Sequence, residues 1–151
     1  MGLDMYLYRK TSVKNYGDNS NYQITVTYKN QPSIINPKKI DEISEEIGYW
    51  RKANAIHNWF VKNVQSGKDD CDSYYVSKDH LKQLMECCQQ VINNPEKAGE
   101  ILPSASGFFF GSTEYDKWYF DKIEYTLEVC KEALSLIGKD EHASFYYHAS
   151  W

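Results

Sequence analysis

The chain has 151 residues and a formal charge of −4, from 17 Lys and Arg against 21 Asp and Glu. That balance argues against a duplex DNA or RNA binder, whose affinity comes from neutralising many phosphates, while a few cations placed together still suit one small anion. The length fits a single domain, residues 1–151, with enough chain to bury a core, and the 15% aromatic content, thirteen Tyr, six Phe and four Trp, serves cores, interfaces and base stacking alike.

Near the start, "LDMYLYR" sets Leu3, Met5 and Leu7 against Asp4, Tyr6 and Tyr8, the alternation of a half-buried strand. "NYQITVTYK" does the same with Tyr22, Ile24, Val26 and Tyr28, and the turn-rich "KNYGDNSN" between them predicts an antiparallel hairpin with a loose loop. "NPKKIDEISEEIG" reads as a helix, with Asn36 as N-cap, Pro37 at the first position, acids toward its N-terminal half, and Ile40, Ile43 and Ile47 as its buried face. Gly48 ends or bends it before a second helix from Tyr49 to Gln65, stopped by "SGKDD".

"DSYYVS" is short, aromatic and β-branched, and predicts a strand. Ser77 then caps an amphipathic helix over Lys78 to Asn93, with Leu81, Leu84, Met85, Cys88, Val91 and Ile92 on one face. "NNPEKAGEILP" gives a break and about two helical turns. "SGFFFGSTEYDKWYF" passes from a three-Phe run through Gly111 into a helix reaching Ile137, where Thr113 and Asp116 resemble a capping box and Gly138 suits the C-cap. "ASFYYHASW" closes the chain as a strand with Phe145, Tyr147, Ala149 and Trp151 on one face. The sum is an α+β fold: three or four helices packed on a small, mostly antiparallel sheet containing both termini.

Four cysteines, Cys71, Cys87, Cys88 and Cys130, show no disulfide-framework spacing. Asp4 interrupts the opening apolar run, and Arg9 and Lys10 follow it, so no signal peptide is expected. No apolar stretch approaches the roughly 20 residues that span a bilayer. These features predict a cytosolic protein with free thiols and no membrane partner.

Two stretches carry candidate site residues. On a helix over 49–65, Trp50, Ala53, Phe60 and Val64 face inward, with Asn54 and His57 on the flank, where each needs a hydrogen-bonding partner or a ligand. Arg51, Lys52 and Trp59 combine cations with a ring, a set suited to phosphate plus base. The alternative is a plain core helix with a satisfied interior histidine. In "FFFGSTEYD", Ser112 and Thr113 sit at an expected helix start whose free amides attract anions, with Tyr115 and Trp118 close behind. The alternative there is a well-capped helix, and the Walker spacing with its lysine is missing.

Catalytic and metal constellations are thin. Ser112 lacks a G-x-S-x-G elbow, and the histidines and cysteines form no H-E-x-x-H or C-x-x-C pair. "DDCD" at Asp69 to Asp72 matches no calcium loop. Cys71 as a nucleophile with His57 or His80 stays open. No catalytic residue, metal or cofactor is assigned.

The segments "MGLDMYL", "EIGYWRKANAIHNWFV" and "GFFFGSTEYD" together resemble a widespread family of short, mostly uncharacterised phage and prophage proteins, along nearly the whole chain. A weaker resemblance is to phage anti-defence sponges, which sequester the cyclic nucleotide signals of bacterial immunity systems such as CBASS. The resemblance implies a phage-encoded protein of the host cytosol whose activity is ligand capture, and it carries no site residues with it.

The leading expectation is therefore a non-enzymatic binder of a small nucleotide signal, such as the cyclic dinucleotide cGAMP. Trp50, Trp59, Tyr115 or Trp118 would stack bases, Arg51 and Lys52 would meet phosphates, Asn54 and His57 would read polar edges, and Ser112 and Thr113 would donate from a helix start. The alternatives are a protein–protein inhibitor of a host defence enzyme or effector, using tyrosine-rich surface, and a nucleotide hydrolase using His57 with an acidic partner. A homodimer is expected from aromatic strands near both termini, which gain from covering an edge.

Overall fold

The computed structural model describes residues 2–14, 22–107, 109–140 and 142–151. Their order is β1 (Asp4–Ser12), β2 (Thr27–Tyr28), β3 (Gln31–Pro32), β4 (Glu42–Arg51), α1 (Asn54–Asn63), β5 (Ser73–Val76), α2 (Lys78–Asn93), α3 (Ala98–Ile101), α4 (Lys117–Leu136) and β6 (Ala143–Ser150). The fold is α+β: four helices with a four-stranded antiparallel sheet in the order β4-β1-β6-β5. β1 and β6, from opposite ends of the chain, run side by side through its middle.

Period-2 alternation sends Met5, Leu7, Phe145, Tyr147 and Val76 to one face, where all are buried. The helices cover that face. Phe60 of α1 lies parallel to Tyr147 at 3.8 Å, and the Trp50 indole N–H donates to Thr126 Oγ1 of α4 at 2.8 Å. A Cβ at Gly48 would come within 2.7 Å of Val129, so glycine lets α4 lie directly on β4. α2 and α4 meet through Leu84, Cys88, Val91, Leu127 and Cys130, which belong to one continuous buried cluster. All four cysteines are free thiols. Among the described residues no helix is long and apolar enough to cross a membrane.

β5, α2, α4 and β6 fall close to where the sequence puts them. Ser77 caps α2 with its side chain accepting from the His80 amide, while the His80 ring accepts from the Ser77 amide. The main departure is residues 36–51. Asn36 and Pro37 do open a helical turn, but it closes after three residues, Pro37–Lys39, and Glu42 to Arg51 is a strand, not a helix. A bulge opposite Leu7 and Tyr8 skips Ile47 in the pairing. The residues paired with the inward-facing ones of β1 are therefore Ile43 and Glu45 before the bulge and Gly48 and Trp50 after it, a change of parity that imitates helical spacing.

The expected hairpin between the first two strands is also replaced. β1 pairs with β4 and β6, and only Thr27 and Tyr28 pair locally, with Gln31 and Pro32. Lys29 and Asn30 both take positive φ, the geometry of a two-residue hairpin turn. Most of the loop expected at 14–21 lies outside the described residues.

Candidate functional site

α1 begins three residues after β4 ends, because Lys52 turns the chain at φ +55. Its amide donates to Leu3 O at 2.7 Å, tying the turn to the start of the sheet. Asn54, at the first turn of α1, is buried and fully employed: its amide nitrogen donates to the carbonyls of Phe110 and Ser112, and its carbonyl oxygen accepts from the Ala105 amide. One side chain thus pins Ala105, Phe110 and Ser112 against α1. Gly111 sits in that loop at φ +86, and a Cβ there would meet Lys52 Cβ at 3.0 Å.

The result is a hollow between the starts of α1 and α4, about 380 Å³ with the open solvent at its mouth included. Lys52, Ser112, Glu114, Asp116, Trp118 and Lys122 line it, over an apolar floor that includes Ile56 and Ile123. Trp118, on the first turn of α4, is 73% exposed. Lys122 stands one turn later on the same side, and its ammonium donates to Lys52 O at 3.0 Å. Burial lowers the Lys122 proton affinity, the Asp116 carboxylate opposes that, and the Lys52 charge adds to it. Two ammoniums and an exposed indole thus share the opening with two carboxylates, Glu114 and Asp116, so the lining has no net formal charge and an anion attached to a flat ring system would have to meet the lysines on the side away from the acids.

Of the ten residues singled out from the sequence, Lys52, Asn54, Ser112 and Trp118 come together here. Asn54 lines the hollow as a structural clamp, since its hydrogen-bonding groups are already paired, and does not wait for a ligand. Trp50, His57 and Trp59 are interior, contrary to their expected place on a cavity wall. β4 turns Trp50 inward, and α1 turns Trp59 onto Phe60. Arg51 lies with Tyr49 on the other face of the sheet, 3.9 Å from Asp4.

Ser112 and Thr113 do not start a helix. Asp116 is the N-cap of α4, accepting from the Tyr119 amide at 3.1 Å, so the two hydroxyl residues belong to the loop before it, and the Ser112 hydroxyl accepts from the Glu114 amide. Tyr115 has its hydroxyl on the Ser104 amide and its ring against Tyr119. Lys122 was missed, although its position four residues after Trp118 on a helix was a sufficient signal.

The expected pairing of His57 with an acid is present but enclosed. Nδ1 lies 2.7 Å from the Tyr147 hydroxyl and Nε2 lies 2.8 Å from Asp69 Oδ1, with Phe110 and Trp151 against the ring. His57 is 1% exposed, so this arrangement ties α1, β6 and the 66–72 loop together and offers a substrate no approach to the ring. Among the described residues no group of three or more His, Cys, Asp or Glu is placed to hold a metal.

A second surface corresponds to the tyrosine-rich one expected from the sequence. Tyr6, Tyr8, Tyr49, Tyr75, Tyr146 and His148 share the sheet face opposite the helices, where Tyr6 meets Tyr49 and His148 and Tyr75 meets Tyr146 across the strands, and Tyr8 stacks on Tyr6 along its own. Their alternation with Met5, Leu7, Phe145 and Tyr147 was readable in the sequence; their convergence depended on strand order. Comparison with known proteins adds no relative to this geometry: no family model, curated protein or solved structure matches the chain.

Proposed function

We propose that this chain is a phage-encoded cytosolic protein that captures a small nucleotide signal in the hollow between α1 and α4, without turning it over. The observation that carries the reading is the meeting of Trp118, Lys52 and Lys122 around one opening. The indole stacks a base, and the two ammoniums meet phosphate. Ser112 supplies a neutral polar group beside them.

Size and energy narrow the ligand. The hollow's roughly 380 Å³ counts the open solvent at its mouth, so it is a shallow recess against which one base and its phosphate lie, and not an enclosed cavity of the kind that buries a whole ligand. One stack at about 1–3 kcal/mol and two charged hydrogen bonds at about 1.5–3 each are offset by association costs of about 4 or more. A mononucleotide is then held only in the range of hundreds of micromolar or weaker. Tight capture requires a second point of attachment, which a cyclic dinucleotide such as cGAMP has and a mononucleotide lacks. The activity in this reading is antagonism of bacterial anti-phage defence.

The test is calorimetry with a panel of cyclic di- and trinucleotides and matching mononucleotides, followed by denaturation and recovery of the ligand. Saturable binding with intact recovery supports capture; recovery of cleaved ligand indicates the hydrolase.

The open sheet face favours a second reading, a protein–protein inhibitor of a host defence enzyme or effector. Its tyrosines, with Ser73, Ser144 and Ser150 among them on the same strands, have the Tyr and Ser composition of rigid, adaptable recognition surfaces. Stoichiometric binding to a purified host protein with no nucleotide present, lost in Tyr8→Ala with Tyr146→Ala, distinguishes it.

A further inference from the structure

Ile34 is fully exposed and Ile35 is 53% exposed, an apolar tip on the segment between β3 and β4. Two local turns hold it out: Ser33 Oγ accepts from the Ile35 amide at 3.0 Å, and Asn36 Oδ1 accepts from the Lys38 amide at 3.0 Å. Immediately beyond lies a wide hollow of about 850 Å³, open solvent included, whose lining mixes Val13, Ile24, Pro37 and Ile40 with Lys14, Tyr22 and Lys38. Tip and hollow adjoin, because Pro37 is both a wall of the hollow and the first residue of the turn that follows the tip.

An apolar knob beside a hollow with an aliphatic part, Val13, Ile24, Pro37 and Ile40, gives two surfaces that can satisfy each other in a second molecule. Their closeness in the chain matters, since one two-fold axis passing between them seats both knobs at once and leaves nothing open for further growth. Charge agrees with this symmetry. Lys38 and Lys39 are followed by Asp41 and Glu42, all exposed, so reversing one copy against the other sets opposite signs facing.

We propose that the chain forms a symmetric homodimer in which Ile34 and Ile35 of each copy fill the hollow of the other. This surface lies on a different segment from the Trp118 hollow and does not depend on that site's ligand.

Sedimentation velocity of the full chain over a concentration series tests it. The wild type sediments as a dimer at the upper concentrations. The tip variant, Ile34→Asp with Ile35→Asp, keeps its circular dichroism spectrum because both side chains are exposed, and its dimerisation weakens by roughly tenfold or more. The hollow variant Ile24→Asp weakens likewise. An equimolar mixture of the two variants, which restores one good seat per mixed dimer, associates more strongly than either alone. A wild type that stays monomeric at every concentration, a tip variant that dimerises as well as wild type, or a mixture no stronger than its parents overturns the proposal. If Ile24→Asp disturbs the fold, the tip variant alone decides.

Discussion

The Tyr147 hydroxyl meets His57 Nδ1 at 2.7 Å inside the protein, while Nε2 of the same ring meets the Asp69 carboxylate at 2.8 Å. The tautomer that carries its proton on Nε2 donates to Asp69 and accepts from Tyr147, so one arrangement of hydrogens satisfies both ring nitrogens and the buried phenol. Burial raises the Tyr147 pKa well above 10.0, which keeps the phenol a donor.

Replacing Tyr147 by Phe leaves Nδ1 buried without a partner, and the expected loss is about 1–3 kcal/mol of stability. Asp69→Asn keeps an acceptor oxygen at a site that is 40% exposed, so its cost is smaller. Urea denaturation of the two variants checks the order. Nucleotide binding at the Trp118 hollow should survive both, because the triad lies outside its lining.

Gly111→Ala meets two obstacles together, a φ of +86 and a Cβ 3.0 Å from Lys52 Cβ. The left-handed conformation alone costs a non-glycine residue about 1–2 kcal/mol. The same clash displaces Lys52 at the mouth of the hollow, so thermal denaturation should show the stability loss and calorimetry should show weaker ligand binding in one variant.

The indoles separate structure from function. Trp59→Ala removes a 7%-exposed ring packed on Phe60, with an expected loss of about 3–5 kcal/mol. Trp118→Ala removes an exposed ring and should leave the melting temperature nearly unchanged while abolishing base stacking. Differential scanning calorimetry of both variants, free and with ligand, tests the contrast.

Alkaline pH should destabilise the protein through its buried thiols. Burial pushes the Cys130 pKa from 9.0 up to about 12, and burial followed by the neighbouring Cys130 and Cys87 raises that of Cys88 as well. A raised folded pKa means the contribution is complete below the unfolded value and is lost as pH climbs toward the folded one. Stability should therefore fall from about pH 9 toward pH 12, by an amount of order 4 kcal/mol for Cys130 alone. Urea midpoints across that range check this, with a shallower decline in Cys130→Ala.

The elements with a single uninterrupted period were legible from sequence: β1, α2, α4 and β6, with the Ser77 cap. The segment 42–51 was not, because a bulge shifts its pairing by one residue at Ile47, so that Ile43 stays exposed while Gly48 and Trp50 are buried, and Asn36 with Pro37 announces a helix that stops after one turn. That error carried the site with it. Placing Tyr49 to Arg51 on a helix put Arg51 beside Trp59, whereas a strand sends Arg51 to the face of the sheet opposite Trp50 and the core. Lys52, Ser112 and Trp118 converge for a reason no local pattern contains, the Asn54 clamp on a loop more than fifty residues away.

Titration calorimetry of wild type, Trp118→Ala and Lys122→Ala with a cyclic dinucleotide panel bears most directly on the proposed capture site. One member should bind the wild type and be recovered intact, lose roughly tenfold or more in affinity with either variant, and bind Arg51→Ala as well as wild type. No binding by any member, or affinity unchanged by both Trp118→Ala and Lys122→Ala, would contradict it.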